Sequence, residues 1–222
     1  MTKTIVPIGR VVGESLREQA AGLREDFTRR GTLVVNLVSS PGAGKTTLLE
    51  ATARHWAGRY RIAVLVGDIA TERDAERLAP YVPVRQLTTG GACHLELPLV
   101  RKGLEELGDP LLDFLFIENI GNLVCPASHD LAEHLRVVLL STTEGDDKPG
   151  KYPKMFRTSQ VLVISKTDLL PHVPFAVEQA VADARKIQPD LQTVSVAARA
   201  GEGVDEWCNL LVRERQRLLE GP

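Results

Sequence analysis

The chain has 222 residues, of which 43% are hydrophobic and 25% are charged, and its formal net charge is -2. These values are typical of a globular protein with about one sizeable domain, and the near-neutral charge argues against a nucleic-acid partner. No apolar stretch of about 18 uncharged residues and no secretory leader pattern occurs, so we expect neither a membrane partner nor secretion. Three cysteines favour free or metal-binding thiols over a disulfide framework, and hence a cytoplasmic location.

The predicted elements alternate between helix and strand along the chain. Residues 13–31 carry apolar side chains at helical spacing, so residues 1–31 are a predicted helical lead-in to one domain over 32–222. Continuous aliphatic runs predict buried strands at 32–38, 61–67, 113–119, 135–141, 160–166 and 191–196. Helical patterns occur at 46–57, 95–107, 175–187 and 204–220, and the polar stretch 142–154 is predicted to be a surface loop. This order predicts a three-layer α/β fold with a mostly parallel central sheet flanked by helices, and the glycine-rich motif of the next paragraph makes it the P-loop NTPase type.

A glycine-rich turn between a buried strand and a helix predicts a phosphate-binding loop. The segment VNLVSSPGAGKTTLLE (35–50) matches the end of the pattern G-x-x-x-x-G-K-[ST], with Ser39 where the first glycine usually stands. The strand before the turn and the helix after it argue against a chance glycine turn with a surface lysine. Glycines let backbone N–H groups turn toward phosphate oxygens, and the start of the helix adds positive partial charge. The predicted nucleotide-binding residues here are Gly42, Ala43, Gly44, Lys45, Thr46 and Thr47.

The segment VISKTDLL (163–170) is similar to the N-K-x-D motif with which GTPases read guanine. Asp168 would accept hydrogen bonds from the guanine N1–H and amino groups, and the Lys166 side chain would lie along the base. Ser165 replaces the usual asparagine. The alternative is that the segment only caps a helix, but its distance from the phosphate loop favours guanine binding.

Two carboxylates at predicted strand ends are candidate magnesium ligands. Magnesium prefers oxygen ligands, so Asp68, Glu118 and the Thr46 hydroxyl form the predicted magnesium set. Lys45, Asp68 and Glu118 form the predicted catalytic set. Residues 118–121 are similar to the GTPase D-x-x-G switch, in which the glycine N–H senses the terminal phosphate. The alternative for each carboxylate is that it merely caps a turn.

Cys93, His94 and Cys125 are candidate ligands for Ni²⁺ or Zn²⁺. Two sulfur atoms and one imidazole suit either ion and leave one position open, as a transfer site requires. The alternative is that the two cysteines are small buried hydrophobic residues and that His94 only begins a helix. Cys208 is expected to pack in the core. His129 and His134 could add ligands, but we expect both on a helical surface.

Six segments in this order, SSPGAGKTTLL, GDIAT, GGACH, ENIGNLVCP, GDDKPGKYP and SKTDL, resemble the HypB family, the nickel-incorporation GTPases of [NiFe]-hydrogenase maturation. The resemblance covers residues 32–205. It implies a Mg²⁺-dependent GTPase of the dimerising, signal-recognition-like class that binds Ni²⁺ or Zn²⁺ between subunits. Implied partners are a second copy in a GTP-dependent homodimer, a zinc-binding accessory protein and the hydrogenase large-subunit precursor. By motif match, Cys93, His94 and Cys125 would be the ligands at the dimer face. Lys148, Lys151 and Lys154 would lie in a loop that reaches the other subunit's nucleotide.

The sequence departs from some members of this family in its first residues and at Ser165, and three alternative functions stay open. Residues 1–38 contain neither cysteine nor histidine, so we expect no N-terminal nickel motif or histidine-rich store. Neither a catalytic glutamine nor an arginine finger is identifiable, which predicts slow intrinsic hydrolysis. The alternatives are a urease-type nickel GTPase, which typically carries a Cys-Pro-His tripeptide, a nucleotide-independent metal-storage protein and a P-loop kinase.

Overall fold

A parallel sheet forms the centre of the molecule. The computed structural model describes residues 8–68, 73–108 and 110–221, with side chains from residue 15 onward. Within them, seven strands pair in parallel in the order β3-β2-β4-β1-β5-β6-β7. The strands are β1 (Leu33–Ser39), β2 (Ile62–Asp68), β3 (Val84–Thr88), β4 (Phe114–Gly121), β5 (Leu135–Ser141), β6 (Val161–Ser165) and β7 (Gln192–Val196). The predicted α/β fold class is confirmed, and the sheet is parallel throughout.

Helices cover both faces of this sheet. They are α1 (Ile8–Arg29), α2 (Lys45–Trp56), α3 (Arg73–Leu78), α4 (Leu97–Glu106), α5 (Lys148–Lys151), α6 (Pro153–Arg157), α7 (Val177–Ile187) and α8 (Val204–Glu220). Short 3-10 helices lie at Cys125–Ser128 and Thr167–His172. No helix in the described ranges combines the length and apolarity needed to cross a membrane.

The alternation of side chains along the strands divides the core into two faces. On one face, Trp56 of α2 stacks on Phe114 with ring centroids 4.4 Å apart, and Trp207 of α8 donates a hydrogen bond from Nε1 to Thr52 Oγ1 at 2.9 Å. On the other face, α1 and α4 pack on Val34 and its neighbours. Strand β1 is buried along its whole length, as its uninterrupted aliphatic run predicts.

Three features differ from the sequence prediction. Strand β3 was not predicted, because VRQLT is a short edge strand whose polar residues break any apolar run. The short helix α3 was also missed. The prediction of a surface loop over 142–154 is wrong in part, since α5 and the start of α6 occupy it and Pro149 is buried there.

The carboxyl ends of the central strands converge on one edge of the sheet, which is where ligands bind in such folds. A register shift marks the end of β4: Leu37 pairs with Glu118 and Ser39 with Gly121, so β4 has one extra residue opposite β1. Such a bulge re-aims the residues beside it. Here it brings Gly121 so close to the phosphate loop that an added Cβ would lie 2.7 Å from Pro41 Cα.

Candidate nucleotide and metal site

The predicted phosphate loop lines a cavity of about 490 Å³. Gly42 and Gly44 adopt positive φ angles of +72° and +100°, a region that favours glycine, and α2 begins immediately after them at Lys45. The lining residues are Gly42, Ala43, Gly44, Lys45, Thr46, Thr47, Leu48, Asp74, Arg77, Glu118, Ser165, Lys166, Asp168, Leu169, Val196, Ala198 and Arg199. The structure therefore brings together both nucleotide-binding motifs that the sequence predicts.

Lys45 is a buried cation at the floor of this cavity. Its Nζ donates a hydrogen bond to Ser39 Oγ at 3.0 Å, so the residue that replaces the usual first glycine holds the lysine in place. Burial lowers the pKa of Lys45, and the carboxylates of Glu118, Asp74 and Glu144 oppose that shift. A buried ammonium group with one neutral hydrogen-bond partner suits an anionic ligand such as a phosphate.

Thr46 and Glu118 form a candidate magnesium site beside Lys45. Thr46 Oγ1 donates a hydrogen bond to Glu118 Oε1 at 2.8 Å, while Glu118 Oε2 is buried and makes no hydrogen bond. Burial raises the pKa of Glu118 to about 7, and Lys45 opposes this shift. An orphaned buried carboxylate oxygen next to a threonine hydroxyl fits the oxygen ligands that Mg²⁺ prefers.

The third predicted magnesium ligand lies at the edge of this region. Asp68 ends β2 and contributes to the electrostatic potential at Lys45, but it does not line the cavity. Its predicted role stays a prediction.

Two charged residues line the cavity that sequence reasoning did not select. Asp74 and Arg77 lie on α3, and Arg77 Nη2 donates hydrogen bonds to Thr47 Oγ1 at 3.1 Å and Glu50 Oε2 at 2.7 Å. Because α3 was not predicted, these side chains were not expected near the phosphate loop. The pattern DAER, with carboxylates in a first helical turn, could have indicated the helix but not its position beside the loop.

The end of β6 connects the predicted base site to the phosphate loop. Ser165 Oγ donates a hydrogen bond to the Ala43 carbonyl oxygen at 2.6 Å, and Lys166 has a left-handed backbone with φ of +59°. Asp168 follows in the first turn of the 3-10 helix and lines the cavity. Ser165 therefore hydrogen-bonds the predicted guanine motif to the phosphate loop, although it replaces the usual asparagine.

The predicted metal ligands meet outside the nucleotide cavity. Cys93 and Cys125 are free thiols with Sγ atoms 3.0 Å apart, and His94 Nδ1 lies 3.9 Å from Cys93 Sγ. The thiol of Cys93 donates to Cys125, which lowers the pKa of Cys125 and raises that of Cys93. One atom from each of the three residues lies within 4.8 Å of the others, a spacing that a bound ion could close. The alternative of two buried, inert cysteines does not hold, because Cys93 is exposed and Cys125 half-buried.

Residues at the end of β4 join this thiol cluster to the phosphate loop. Asn122 follows Gly121, which packs against Pro41, and its Nδ2 donates a hydrogen bond to the Cys93 carbonyl oxygen at 3.1 Å. Asn119 Oδ1 accepts a hydrogen bond from Leu95 N at 3.4 Å, on the face of β4 opposite Glu118. The end of β4 therefore contacts nucleotide-site residues on one side and the Cys93–His94 loop on the other.

The remaining cysteine and histidines give mixed outcomes. Cys208 is buried on α8, so the prediction that it packs in the core is confirmed. The expectation of a helical surface is wrong for His134, which lies just before β5 and whose Nδ1 accepts a hydrogen bond from Val34 N at 3.0 Å. It is also wrong for His129, which follows the 3-10 helix and stacks on His94 with ring centroids 3.8 Å apart. These contacts are made across more than 30 residues, which local periodicity does not reveal.

The three loop lysines make contacts within the chain. Lys148 Nζ lies 3.6 Å from Glu144 Oε2, and Lys151 Nζ lies 2.6 Å from Asp147 Oδ2. Lys154 Nζ donates a hydrogen bond to Ser128 Oγ, in the short helix that begins at Cys125. Their predicted reach toward a second subunit stays a prediction.

A parallel sheet whose central strand leads through a glycine-rich loop into α2, with a buried lysine at the start of that helix, defines a P-loop NTPase fold. The model of the family described as "CobW/HypB/UreG, nucleotide-binding domain" matches residues 33–195. The chain belongs to this family, and within it to the HypB proteins, as its relatives show.

The chain is 48% identical over 197 residues to the hydrogenase maturation factor HypB of Azotobacter vinelandii, covering 88% of this chain and 65% of that protein. It therefore spans just under two thirds of that relative's length. It is 40% identical over 202 residues to the hydrogenase/urease maturation factor HypB of Helicobacter hepaticus, covering 89% of this chain and 83% of the relative. The crystal structure of HypB from Helicobacter pylori in complex with nickel matches with a TM-score of 0.86 and 38% identity, covering 91% and 95% of the two chains.

Proposed function

We propose that this protein is a GTP-hydrolysing metallochaperone that binds nickel or zinc and delivers nickel during [NiFe]-hydrogenase maturation. One observation carries the proposal: the end of β4 touches the phosphate loop through Gly121 and the thiol cluster through Asn122. Loss of a bound terminal phosphate would therefore change the position of a metal ligand. Hydrogenase maturation is proposed as the process because the relatives are named as hydrogenase maturation factors.

In the proposed reaction, the phosphate loop holds GTP and Lys45 neutralises the charge that develops on the terminal phosphate. Thr46 and Glu118, with Asp68 at the same sheet edge, would hold Mg²⁺, and the ion would supply further positive charge to the phosphates. A water molecule attacks the γ-phosphorus, the bond to the β-γ bridging oxygen breaks, and GDP and phosphate leave. We propose that Asp74, which lines the cavity, orients that water.

In this proposal the metal ion is the cargo of the protein and not a permanently bound cofactor. Cys93, His94 and Cys125 would bind it through two sulfur atoms and one imidazole nitrogen, a donor set that suits nickel and zinc. The set leaves at least one coordination position open. An incomplete shell lets a partner's ligand enter before the cargo leaves, which transfer requires.

Coupling between the two sites needs unequal metal affinity in the GTP and GDP states. In the proposed switch, loss of the terminal phosphate releases Gly121, Asn122 moves with it, and the Cys93 carbonyl oxygen loses its hydrogen bond. Asn119 transmits the same movement to Leu95, one residue after His94. The altered ligand set then releases the ion.

We further propose that GTP favours a homodimer, with the metal sites facing each other. Lys148, Lys151 or Lys154 would then reach the neighbouring nucleotide, for which Lys148 has to leave Glu144. The other proposed partners are a zinc-binding accessory protein and the hydrogenase large-subunit precursor. We also propose a cytoplasmic location, where reducing conditions keep thiols available to bind an ion.

The experiment that tests this function is a titration with Ni²⁺ and Zn²⁺ of the GDP-bound and GTP-analogue-bound forms, with subunit mass followed in parallel. We expect metal affinities that differ between the forms by at least about fivefold, and a dimer with the analogue. Equal affinities would remove the switch and leave a GTPase. Lys45→Ala separates the alternatives. A nucleotide-independent storage protein would bind metal as the parent does, whereas a metallochaperone would lose the difference in metal affinity between its two nucleotide states. A kinase would transfer phosphate to a small acceptor rather than to water.

A second candidate is nickel delivery to urease, and the Helicobacter hepaticus relative, named as a hydrogenase/urease factor, favours it. The discriminating measurement is transfer from the nickel-loaded chain to each purified target. Transfer to the hydrogenase precursor alone supports the first function, and transfer to urease supports the second.

A further inference from the structure

His129 is held in a fixed position beside the thiol cluster. Its carbonyl oxygen accepts a hydrogen bond at 2.6 Å from Nη2 of Arg136, a buried residue whose guanidinium group also pairs with Glu133. Its ring nitrogen Nδ1 lies 2.9 Å from the Cys125 carbonyl oxygen. Because a carbonyl can only accept, Nδ1 carries the proton, and in the neutral ring Nε2 has a free lone pair.

His94 presents its two nitrogens to different neighbours. Nδ1 lies on the Cys93 side, whereas Nε2 is buried, makes no hydrogen bond and lies 3.5 Å from Glu96 Oε1. One ligand atom each from His94, Glu96 and His129 lies within 4.8 Å of the others. Two imidazoles and a carboxylate are a common ligand combination for zinc and nickel.

We infer that His94, Glu96 and His129 form a second metal-ligand set, of nitrogen and oxygen donors, that overlaps the thiolate set at His94. This inference builds on the proposed metal-binding function and extends it with a second position for the ion. A neutral imidazole offers one lone pair to a metal, so His94 serves one set at a time. The ion therefore has a sulfur-rich position and a sulfur-free position that share one ligand.

The stacked rings define the movement that this second set requires. The imidazoles of His94 and His129 are inclined by only 25°, and lone pairs in nearly parallel rings cannot meet at one ion. One ring has to rotate about χ2, a broad torsion in histidine. The hydrogen bonds of His129 to Arg136 and to the Cys125 carbonyl oxygen hold that ring, so the ring that rotates is the one of His94.

The test uses the full chain with Cys93→Ser and Cys125→Ser together, titrated with Ni²⁺ or Zn²⁺ alone against a chromophoric chelator. We expect this variant to bind one ion per chain more weakly than the parent and without sulfur-to-nickel charge-transfer absorption. Adding His129→Phe keeps an aromatic ring on His94 but removes the nitrogens, and we expect it to lower the affinity at least about tenfold further. His172→Phe, an exposed histidine outside both sets, is the matched control and should change nothing.

The outcomes separate this inference from the proposed function. If the parent binds nickel with sulfur charge transfer and the double serine variant binds no ion, the second set is overturned and the proposed function stands. If His129→Phe leaves the affinity of the serine variant unchanged, the second set is likewise overturned. If the parent itself binds neither Ni²⁺ nor Zn²⁺, both the second ligand set and the proposed metallochaperone function are overturned. Circular dichroism checks folding, and should His129→Phe unfold, His129→Gln gives the same comparison.

Discussion

Asn122 Nδ2 donates a hydrogen bond to the Cys93 carbonyl oxygen at 3.1 Å, and its Oδ1 accepts one from Val124 N at 2.8 Å. One amide therefore clamps the two loops that carry the thiols. It does so directly after Gly121, the residue of β4 that packs on the phosphate loop. Asn122 therefore connects the two candidate sites through one peptide bond, to Gly121, and one hydrogen bond, to Cys93.

Replacing Asn122 by alanine should uncouple metal affinity from the nucleotide. The thiolates and imidazole remain, so metal still binds, but the loop that carries Cys93 no longer follows Gly121. We expect the ratio of nickel affinities in the GTP-analogue and GDP forms to fall toward one. Asn209→Ala, the same change on an exposed position of α8, is the control. A ratio unchanged in Asn122→Ala would contradict this pathway.

Glu118→Gln should remove the effect of magnesium on nucleotide binding. The amide keeps the size of the side chain but not the negative charge that Glu118 Oε2 presents next to Thr46. The measurement is the affinity for a GTP analogue with and without Mg²⁺, and we expect the two values to converge in the variant. Glu178→Gln on the exposed face of α7 should preserve the difference. If Glu118→Gln preserved it as well, Glu118 would not be a magnesium ligand.

Asp168→Asn should shift preference away from GTP. In the proposed guanine site the carboxylate would accept two hydrogen bonds from the base. Charged hydrogen bonds contribute about 1.5–3 kcal/mol each, so we expect the GTP-over-ATP ratio to fall at least about tenfold. Competition between the two nucleotides measures this ratio. Asp190→Asn, at an exposed position, is the control. A ratio that stayed the same in Asp168→Asn would argue against the guanine assignment.

His134 should make folding stability depend on pH. Burial lowers its pKa from 6.5 to about 4, with a contribution from Arg24. Between these values the unfolded chain binds more protons than the folded one, so stability is complete above about pH 6.5 and falls as the pH falls toward 4. We expect about 1–2 kcal/mol of the free energy of unfolding to be lost between pH 7.5 and pH 5.0, after allowing for partial exposure.

Urea unfolding at both pH values measures this loss. His134→Asn keeps an acceptor for Val34 N but does not titrate, so the pH dependence should become smaller in that variant. His172→Asn should retain the full dependence of the parent. An identical pH dependence in His134→Asn and the parent would assign the effect to another group.

Elements that depend on contacts between residues close in sequence were predicted accurately, and short or polar elements were not. The strand over 135–141 and the helix over 204–220 have the predicted bounds, because long periodic runs with clear ends determine them locally. The edge strand β3 and the helix α3 were missed because they are short and polar. Their absence from the prediction also hid Asp74 and Arg77, two charged residues of the nucleotide cavity.

By itself, the sequence determined the class of fold and the chemistry at each site: a glycine turn with Lys45 and Thr46, a guanine-type motif at Asp168, and thiols at Cys93 and Cys125. These follow from local spacing and from the known preferences of each side chain. Only the tertiary structure decided that His129 stacks on His94 and that Asn122 joins the thiol loop to the phosphate loop. Those contacts depend on how parallel strands bring distant loops to one edge of the sheet, and no spacing along the chain encodes that.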